Sequence, residues 1–502
     1  SDPEVLLAYG TVREADAMSL RAYIGEPVGR IGGSAFALHD RQLLLDDART
    51  VLGRAVRIAP ELGEARLRQA HVRILQGNDG AARTLLEALR TSQPAPDLAY
   101  LAALMLGGIM ERRNDRIAAA ALFQEARRHV PGAQSAFIAE VFALRSAERW
   151  PESIRVLREM LTGTASDRDP WARYARGLDL TRASLEPLRD EVKQQRSPPA
   201  PERRVTPVAV SNHGATFDSS PPAADASGRI FVDVLVTRDL RPVPGLTAAH
   251  FEVRHDDARQ QVELVDIQAV PIDVRIAIDC AAGLEGERLT SLKRAVRGIV
   301  DHARPGDRVE LMGFSDRIQL LSGLSADREQ ISAAVDRLES ASSAALFDAT
   351  FTSIALPAFP GRRTLSLIFT TGLDAASWLG PAAVIESAAA SPVTVYGVVA
   401  PEPDLPLRRH RLDVARLRKS LFQSPALLRD SFLAVLVGDS GGELVHAAAD
   451  ADLPATFADA VSRFRERYRL AYTPARQSPG VHAIDVRMKD GTLRAIARTR
   501  GR

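Results

Sequence analysis

At Arg229 the hydrophobic period of this chain changes, and that change constrains its fold more than any other feature. Ile230, Val232, Val234 and Val236 alternate with Phe231, Asp233, Leu235 and Thr237, a period of two that reads as a strand. Arg241-Pro242-Val243-Pro244-Gly245 makes a turn, and Phe251–Val253 and Val262–Ile267 supply further strands. Apolar strands at 274–278, 309–314, 365–370, 393–399 and 443–446 then alternate with amphipathic helices at 289–302, 328–338, 346–355, 382–390, 425–437 and 454–467. Strands alternating with helices of that length call for a parallel sheet covered on both faces. From Tyr468 the period of two returns, at 468–472, 481–488 and 493–497.

The first 165 or so residues read as helices with a repeat. Ala48, Leu52, Ala55 and Pro60 have the spacing of Ala119, Phe123, Ala126 and Pro131; Ala81, Leu85, Ala88, Leu89 and Ser153, Leu157, Met160 are looser copies. Self-similarity near 34 residues predicts helix–turn–helix pairs stacked as a solenoid. Small residues one turn apart let helices approach, the large one fills the neighbouring groove, and proline ends the second helix. Over residues 37–162 the pattern resembles degenerate tetratricopeptide repeats. Ser197-Pro198-Pro199-Ala200-Pro201 and Ser219-Ser220-Pro221-Pro222 mark a linker, with a short helix predicted around Leu178–Gln194.

Residues 230–501 resemble the bacterial VWFA-related family, a Rossmann-like von Willebrand factor A domain with β-strands appended on both sides. The resemblance is carried by Phe231–Thr237, Arg241–Thr247, His250–Val253, Pro305–Val309, Gly313–Asp316, Phe347–Ala349, Gly372–Asp374 and Tyr468–Tyr472. The fold expected is therefore multidomain. A TPR-like helical solenoid (1–165) and a Pro-rich linker (166–228) lead into the first part of a small β-sandwich (229–270). An α/β vWA-like domain (271–467) follows, and C-terminal strands (468–502) complete the sandwich.

The resemblance also implies a metal-ion-dependent adhesion site at the C-terminal edge of the sheet, where open α/β sheets bind ligands. Its pattern is Asp-x-Ser-x-Ser after the first core strand, a threonine in a second loop and an aspartate after a later strand. These oxygens suit a hard cation in octahedral array. Here Asp279 keeps the first position, but Ala281 and Gly283 stand at the serine places. Ala344 stands at the threonine place, four residues before Asp348, and Thr371 at the last aspartate place. One element of five survives, so no metal and no cofactor is expected. The alternative is a metal-dependent adhesin or sensor with a site rearranged around Glu285, Asp348, Thr371 and Asp374.

Other chemistry has little to rest on. The sequence contains no Gly-x-Gly-x-x-Gly or P-loop, no His-Glu-x-x-His and no Gly-x-Ser-x-Gly. His250 and His255 are the nearest pair of histidines, and five residues apart on a strand they point to opposite faces. Ser315 beside Asp316 lacks a base, and Cys280 reads as a small buried residue rather than a reactive thiol. The single cysteine excludes an internal disulfide. A formal charge of +2 over 502 residues, with four lysines and 61 arginines spread along the chain, gives no reason to expect nucleic acid. The longest apolar run, Leu98–Met110, is 13 residues, too short to span a bilayer. The start at Ser1-Asp2-Pro3 suggests a leader removed or a trimmed start. The expectation is a non-enzymatic interaction protein outside the bacterial cytoplasm, periplasmic or held at a membrane through its partners. Those partners are expected to be protein subunits of a membrane-bound assembly.

Overall fold

A computed structural model describes residues 2–23, 33–163, 166, 169–175, 228–267, 270–281, 284–341, 343–400, 429–474 and 480–501. The predicted helix at 178–194 and the Pro-rich stretches lie outside these residues. The chain divides into two compact units, one holding the described residues up to Ala175 and the other those from Gly228.

Among the described residues the first unit is helical: α1 (Pro3–Tyr23), α2 (Gly33–Ile58), α3 (Gly63–Leu75), α4 (Asp79–Thr91), α5 (Pro96–Arg112), α6 (Arg116–His129), α7 (Gln134–Ser146), α8 (Trp150–Thr162) and α9 (Pro170–Ala175). The hairpins α3–α4, α5–α6 and α7–α8 turn in one way. Gly77, Asn114 and Glu148 take positive φ (77°, 61° and 61°). The next residue's amide donates back to Arg73, Met110 and Leu144 in turn, at 2.8–2.9 Å, so the last turn of each first helix keeps its carbonyls bonded. Asn78 and Asp115 then cap α4 and α6 by accepting from the amides of Ala81 and Ala118.

The repeated small–large pattern lies on the second helices. Ala48, Leu52, Ala55, Ala119, Phe123, Ala126, Ser153, Leu157 and Met160 are all buried. Phe123 packs so closely on α5 that a Cβ at Gly107 would lie 2.3 Å from its ring. The copy on α4 is displaced by one from the expected register: Ala82, Leu86 and Leu89 are buried, while Ala88 is exposed. The adjacent pairs Ala81-Ala82 and Leu85-Leu86 let the first two positions be read in either register; the structure has Ala82 and Leu86 inward.

The second unit opens with β1 (Ile230–Arg238), β2 (Arg241–Pro242), β3 (Phe251–His255), β4 (Ala258–Gln260) and β5 (Glu263–Val265). The α/β stretch follows: β6 (Ile272–Asp279), α10 (Gly286–Asp301), β7 (Arg308–Phe314), β8 (Ile318–Ser325), α11 (Arg328–Asp336), α12 (Leu346–Ala355), β9 (Arg363–Thr370), α13 (Pro381–Ala389), β10 (Thr394–Val399), α14 (Arg429–Ser440), β11 (Leu444–His446) and α15 (Leu453–Arg465). It closes with β12 (Tyr468–Tyr472), β13 (His482–Met488), β14 (Arg494–Ile496) and β15 (Arg500–Gly501).

Six strands form a sheet in the order β11-β10-β9-β6-β7-β8. All its pairings are parallel except β7–β8, an antiparallel hairpin at the edge. Strand β8 escaped the sequence reading: Ile318-Gln-Leu-Leu-Ser-Gly-Leu-Ser325 lacks a clean alternation and follows β7 after a three-residue turn. On one face Ile272, Val274, Ile276 and Ile278 of β6 join the core under α10, α11 and α15. Polar and charged side chains of these strands are also buried, Asp273, Arg275 and Glu310 among them. Arg275, 1% exposed, donates to the carbonyls of Ser353 and Leu356 at 3.0 Å and to that of Pro357, closing the open C-terminal end of α12. Asp273 is gripped by Arg308 and Arg362.

The flanking strands form two antiparallel sheets, β14-β1-β12-β5 (with β2 on β1) and β15-β13-β3-β4. Their shared core holds Val232, Val234, Val236, Phe251, Val253, Leu470, Tyr472 and Ile484. Asp233 of β1 ties this sandwich to the α/β sheet through Arg363 at the start of β9, 2.8 Å away.

Candidate functional site: the crevice at the carboxyl edge of the sheet

Strands β6 and β9 are neighbours, yet the chain winds outward from β6 through β7 and β8 before returning to place β9 on its other side. The carboxyl ends of such a pair bound the crevice where open α/β sheets place ligands. Asp279 ends β6 and Thr370 ends β9, so both stand on that crevice.

The Asp279 carboxylate is 3% exposed and already satisfied. Its Oδ2 accepts from the Thr370 hydroxyl at 2.8 Å, the Thr371 amide at 3.2 Å and the Thr371 hydroxyl at 3.4 Å. Its Oδ1 accepts from the Ala281 amide at 2.9 Å. Burial pushes this carboxyl above the usual range, against the pull of those hydrogen bonds. Thr371 stands where the resemblance expects a second aspartate. Two carboxylates facing each other here would repel unless a cation lay between them; threonine supplies a donor instead.

The surrounding loops are sewn together by backbone. Cys280 donates its amide to Phe314 at 2.7 Å and accepts from Ala341 at 2.6 Å. Ala344, 3% exposed, offers its carbonyl to the amides of Ala375 and Ala376. Gly283 lies outside the described residues. Burial pushes the Cys280 thiol up to about 12, which favours the protonated sulfur.

Of the residues of a rearranged site, Asp348 and Asp374 are hydrogen-bonded within the neighbouring loop. The Asp348 carboxylate accepts from the amides of Trp378 at 2.9 Å and Leu379 at 3.0 Å. Asp374 accepts from the Ser377 hydroxyl at 2.6 Å and the Phe347 amide at 3.2 Å. Burial pushes Asp374 up to about 6, against the Ser377 and Phe347 hydrogen bonds. Both aspartates thus fasten the 371–380 loop to the first turn of α12. Glu285 is exposed and makes no capping hydrogen bond to α10. The rim beside the crevice carries Leu373, 52% exposed, on a loop that turns at Gly372 (φ 81°).

His250 and His255 do not meet: His250 Nδ1 lies 3.0 Å from the Thr247 hydroxyl, while His255 lies inside the sandwich, 3.0 Å from the Tyr472 hydroxyl. His255 does meet His482, a residue that sequence separation hid.

The mostly parallel six-stranded sheet, with its reversed edge strand and helices on both faces, is similar to the α/β arrangement of von Willebrand factor A domains. Solved structures that the chain resembles include a von Willebrand factor type A protein from Catenulispora acidiphila (14% identity, TM-score 0.31, covering 57% of this chain and 76% of that one). Two others are the protein BatB from Bacteroides thetaiotaomicron (15%, TM-score 0.29, 38% and 98%) and an aerotolerance-related membrane protein from Bacteroides fragilis (14%, TM-score 0.29, 38% and 99%). No protein-family model matches the chain, and no curated protein does. At these identities and scores no site residue is carried over from any neighbour.

Proposed function

We propose that this chain is a non-catalytic, protein-binding scaffold, an extrinsic subunit that stabilises a larger assembly outside the bacterial cytoplasm. One observation carries the reading: the Asp279 carboxylate is held by Thr370, Thr371 and Ala281. A vWA-like crevice closed in this way recognises a partner through surface fit, and the degenerate adhesion site offers Ala281 and Thr371 where metal ligands would stand. The exposed Leu373 on the rim suits apolar contact with a protein. The α3–α8 hairpins, read as TPR-like, add a second surface of the kind helical repeats use for partners. The extracytoplasmic placement rests on the family resemblance. Among the described residues no helix is long and apolar enough to cross a membrane, so attachment there would run through partners.

The test is isolation of the chain from its native membrane under mild detergent, followed by measurement of the complex size and cross-linked neighbours. Recovery in a stoichiometric complex, weakened at least tenfold by Leu373→Glu, supports the reading. A free monomer in every preparation overturns it.

A further inference from the structure

Outside the crevice, one group of side chains converges without a role in the scaffold reading. His255 ends β3, Asp256 opens the turn to β4, and His482 begins β13. Their ligand-type atoms, one from each residue, all lie within 4.8 Å of one another. The turn residues Asp256 and Asp257 both take positive φ (47° and 64°), the geometry of a two-residue hairpin turn. This turn is locked onto β13: the Asp256 amide donates to the Ala483 carbonyl at 3.0 Å, and Asp256 Oδ1 accepts the Ala483 amide at 2.9 Å. The remaining carboxylate oxygen, Oδ2, faces His482 Nδ1 at 2.6 Å. The two imidazoles stack with centroids 4.8 Å apart and planes at 29°.

We propose that His255, Asp256 and His482 form a binding site for one divalent transition ion of the zinc class, with water completing a four-coordinate shell. Two imidazoles and one carboxylate are borderline ligands; they suit zinc, cobalt or nickel and fit poorly with magnesium or calcium, which want oxygen alone. His255 is oriented as metal-binding histidines are: its Nδ1 lies 3.0 Å from the Tyr472 hydroxyl, which leaves Nε2 as the ligand atom. Bonds near 2.0 Å in a tetrahedron set ligand atoms about 3.3 Å apart. Small turns of the exposed Asp256 and the half-buried His482 side chains bring the group to that spacing, while His255 is buried and fixed. The ion replaces the hydrogen bond between Asp256 and His482, and it clips the β3–β4 turn to β13 and, through Tyr472, to the opposite sheet.

The test uses the full chain, stripped of metal, titrated with zinc against a chromophoric chelator. One equivalent is expected to bind at micromolar or lower free zinc, at least tenfold more weakly in His482→Gln and in Asp256→Asn. Zinc is expected to raise Tm in the parent and not in these variants, whose metal-free Tm and circular dichroism report their folding. Cobalt(II) as the probe is expected to give the intense visible bands of a four-coordinate site. Absence of saturable binding, or an affinity unchanged in both folded variants, overturns the proposal. Partner recovery is not the readout, so this result and that of the scaffold test are independent.

Discussion

The Thr370 hydroxyl lies 2.8 Å from the Asp279 carboxylate and accepts the Gly372 amide at 2.9 Å. One oxygen therefore joins the ends of two strands and shapes the loop that leaves the second. Thr370→Val removes that oxygen and leaves a buried carboxylate short of a donor. A loss of about 1–3 kcal/mol is expected, read as a lower denaturation midpoint. Asp279→Ala is expected to leave magnesium binding unchanged by calorimetry; micromolar magnesium binding abolished by it would restore the adhesion-site reading.

Arg275 and Glu310 face each other in register on β6 and β7, both nearly fully buried. Arg275→Met strands Glu310 and the three carbonyls at the end of α12, and is expected to cost about 3–5 kcal/mol. Methionine at both positions is expected to recover only the part due to the unpaired Glu310, because the carbonyls of Ser353, Leu356 and Pro357 still lack their donor. Equal losses in the single and double variants would count against this account.

Gly107→Ala puts a methyl group 2.3 Å from the Phe123 ring. The phenyl group must shift in a packed interior, at about 1–3 kcal/mol. Adding Phe123→Leu is expected to return part of the stability; calorimetric unfolding of the two variants measures it.

Glu111 lies in the last turn of α5, where a negative charge is disfavoured by the helix dipole. Its Oε1 is buried with no hydrogen-bond partner among the described residues, and burial pushes its carboxyl up to about 7 from 4.5. A raised carboxyl favours the fold while protonated. That contribution is full below pH 4.5 and is lost as pH rises through 7. Glu111→Gln is therefore expected to raise Tm at pH 8 relative to the parent and to change it little at pH 4.5. Equal shifts at both pH values would show that the charge is not the cause.

Period alone located most of the second unit: the strands expected at 274–278, 309–314 and 365–370 lie within the observed β6, β7 and β9. What stayed hidden has physical reasons. Arg275, Asp273 and Glu310 look like strand residues on a wet face, and the groups that meet the first two are distant in sequence: the carbonyls of Ser353 and Leu356 for Arg275, Arg308 and Arg362 for Asp273. The β8 strand pairs with its neighbour through irregular registers, which blurs the alternation a strand normally shows. The place of Asp279 was legible, because it ends the apolar run of β6. The compensating donors, Thr370 above all, were not, since a threonine at a strand end reads as ordinary β-propensity. The His255–Asp256–His482 group escaped for the same reason as any contact across more than two hundred residues: nothing local announces it.

Strand β1 is made early and finds both its main neighbours late. Val234 pairs with Tyr468 and Leu235 with Ile496, so during synthesis its backbone waits for more than two hundred further residues, on the order of 10 s or longer at ribosomal rates. Through that interval only its last residues, Thr237 and Arg238, have a strand partner, in β2, and the rest is an apolar ribbon able to accept an extended segment. Chains released before Tyr468 keep that ribbon open, which makes incomplete products of this protein sticky and places a demand on holding chaperones that the finished molecule no longer makes.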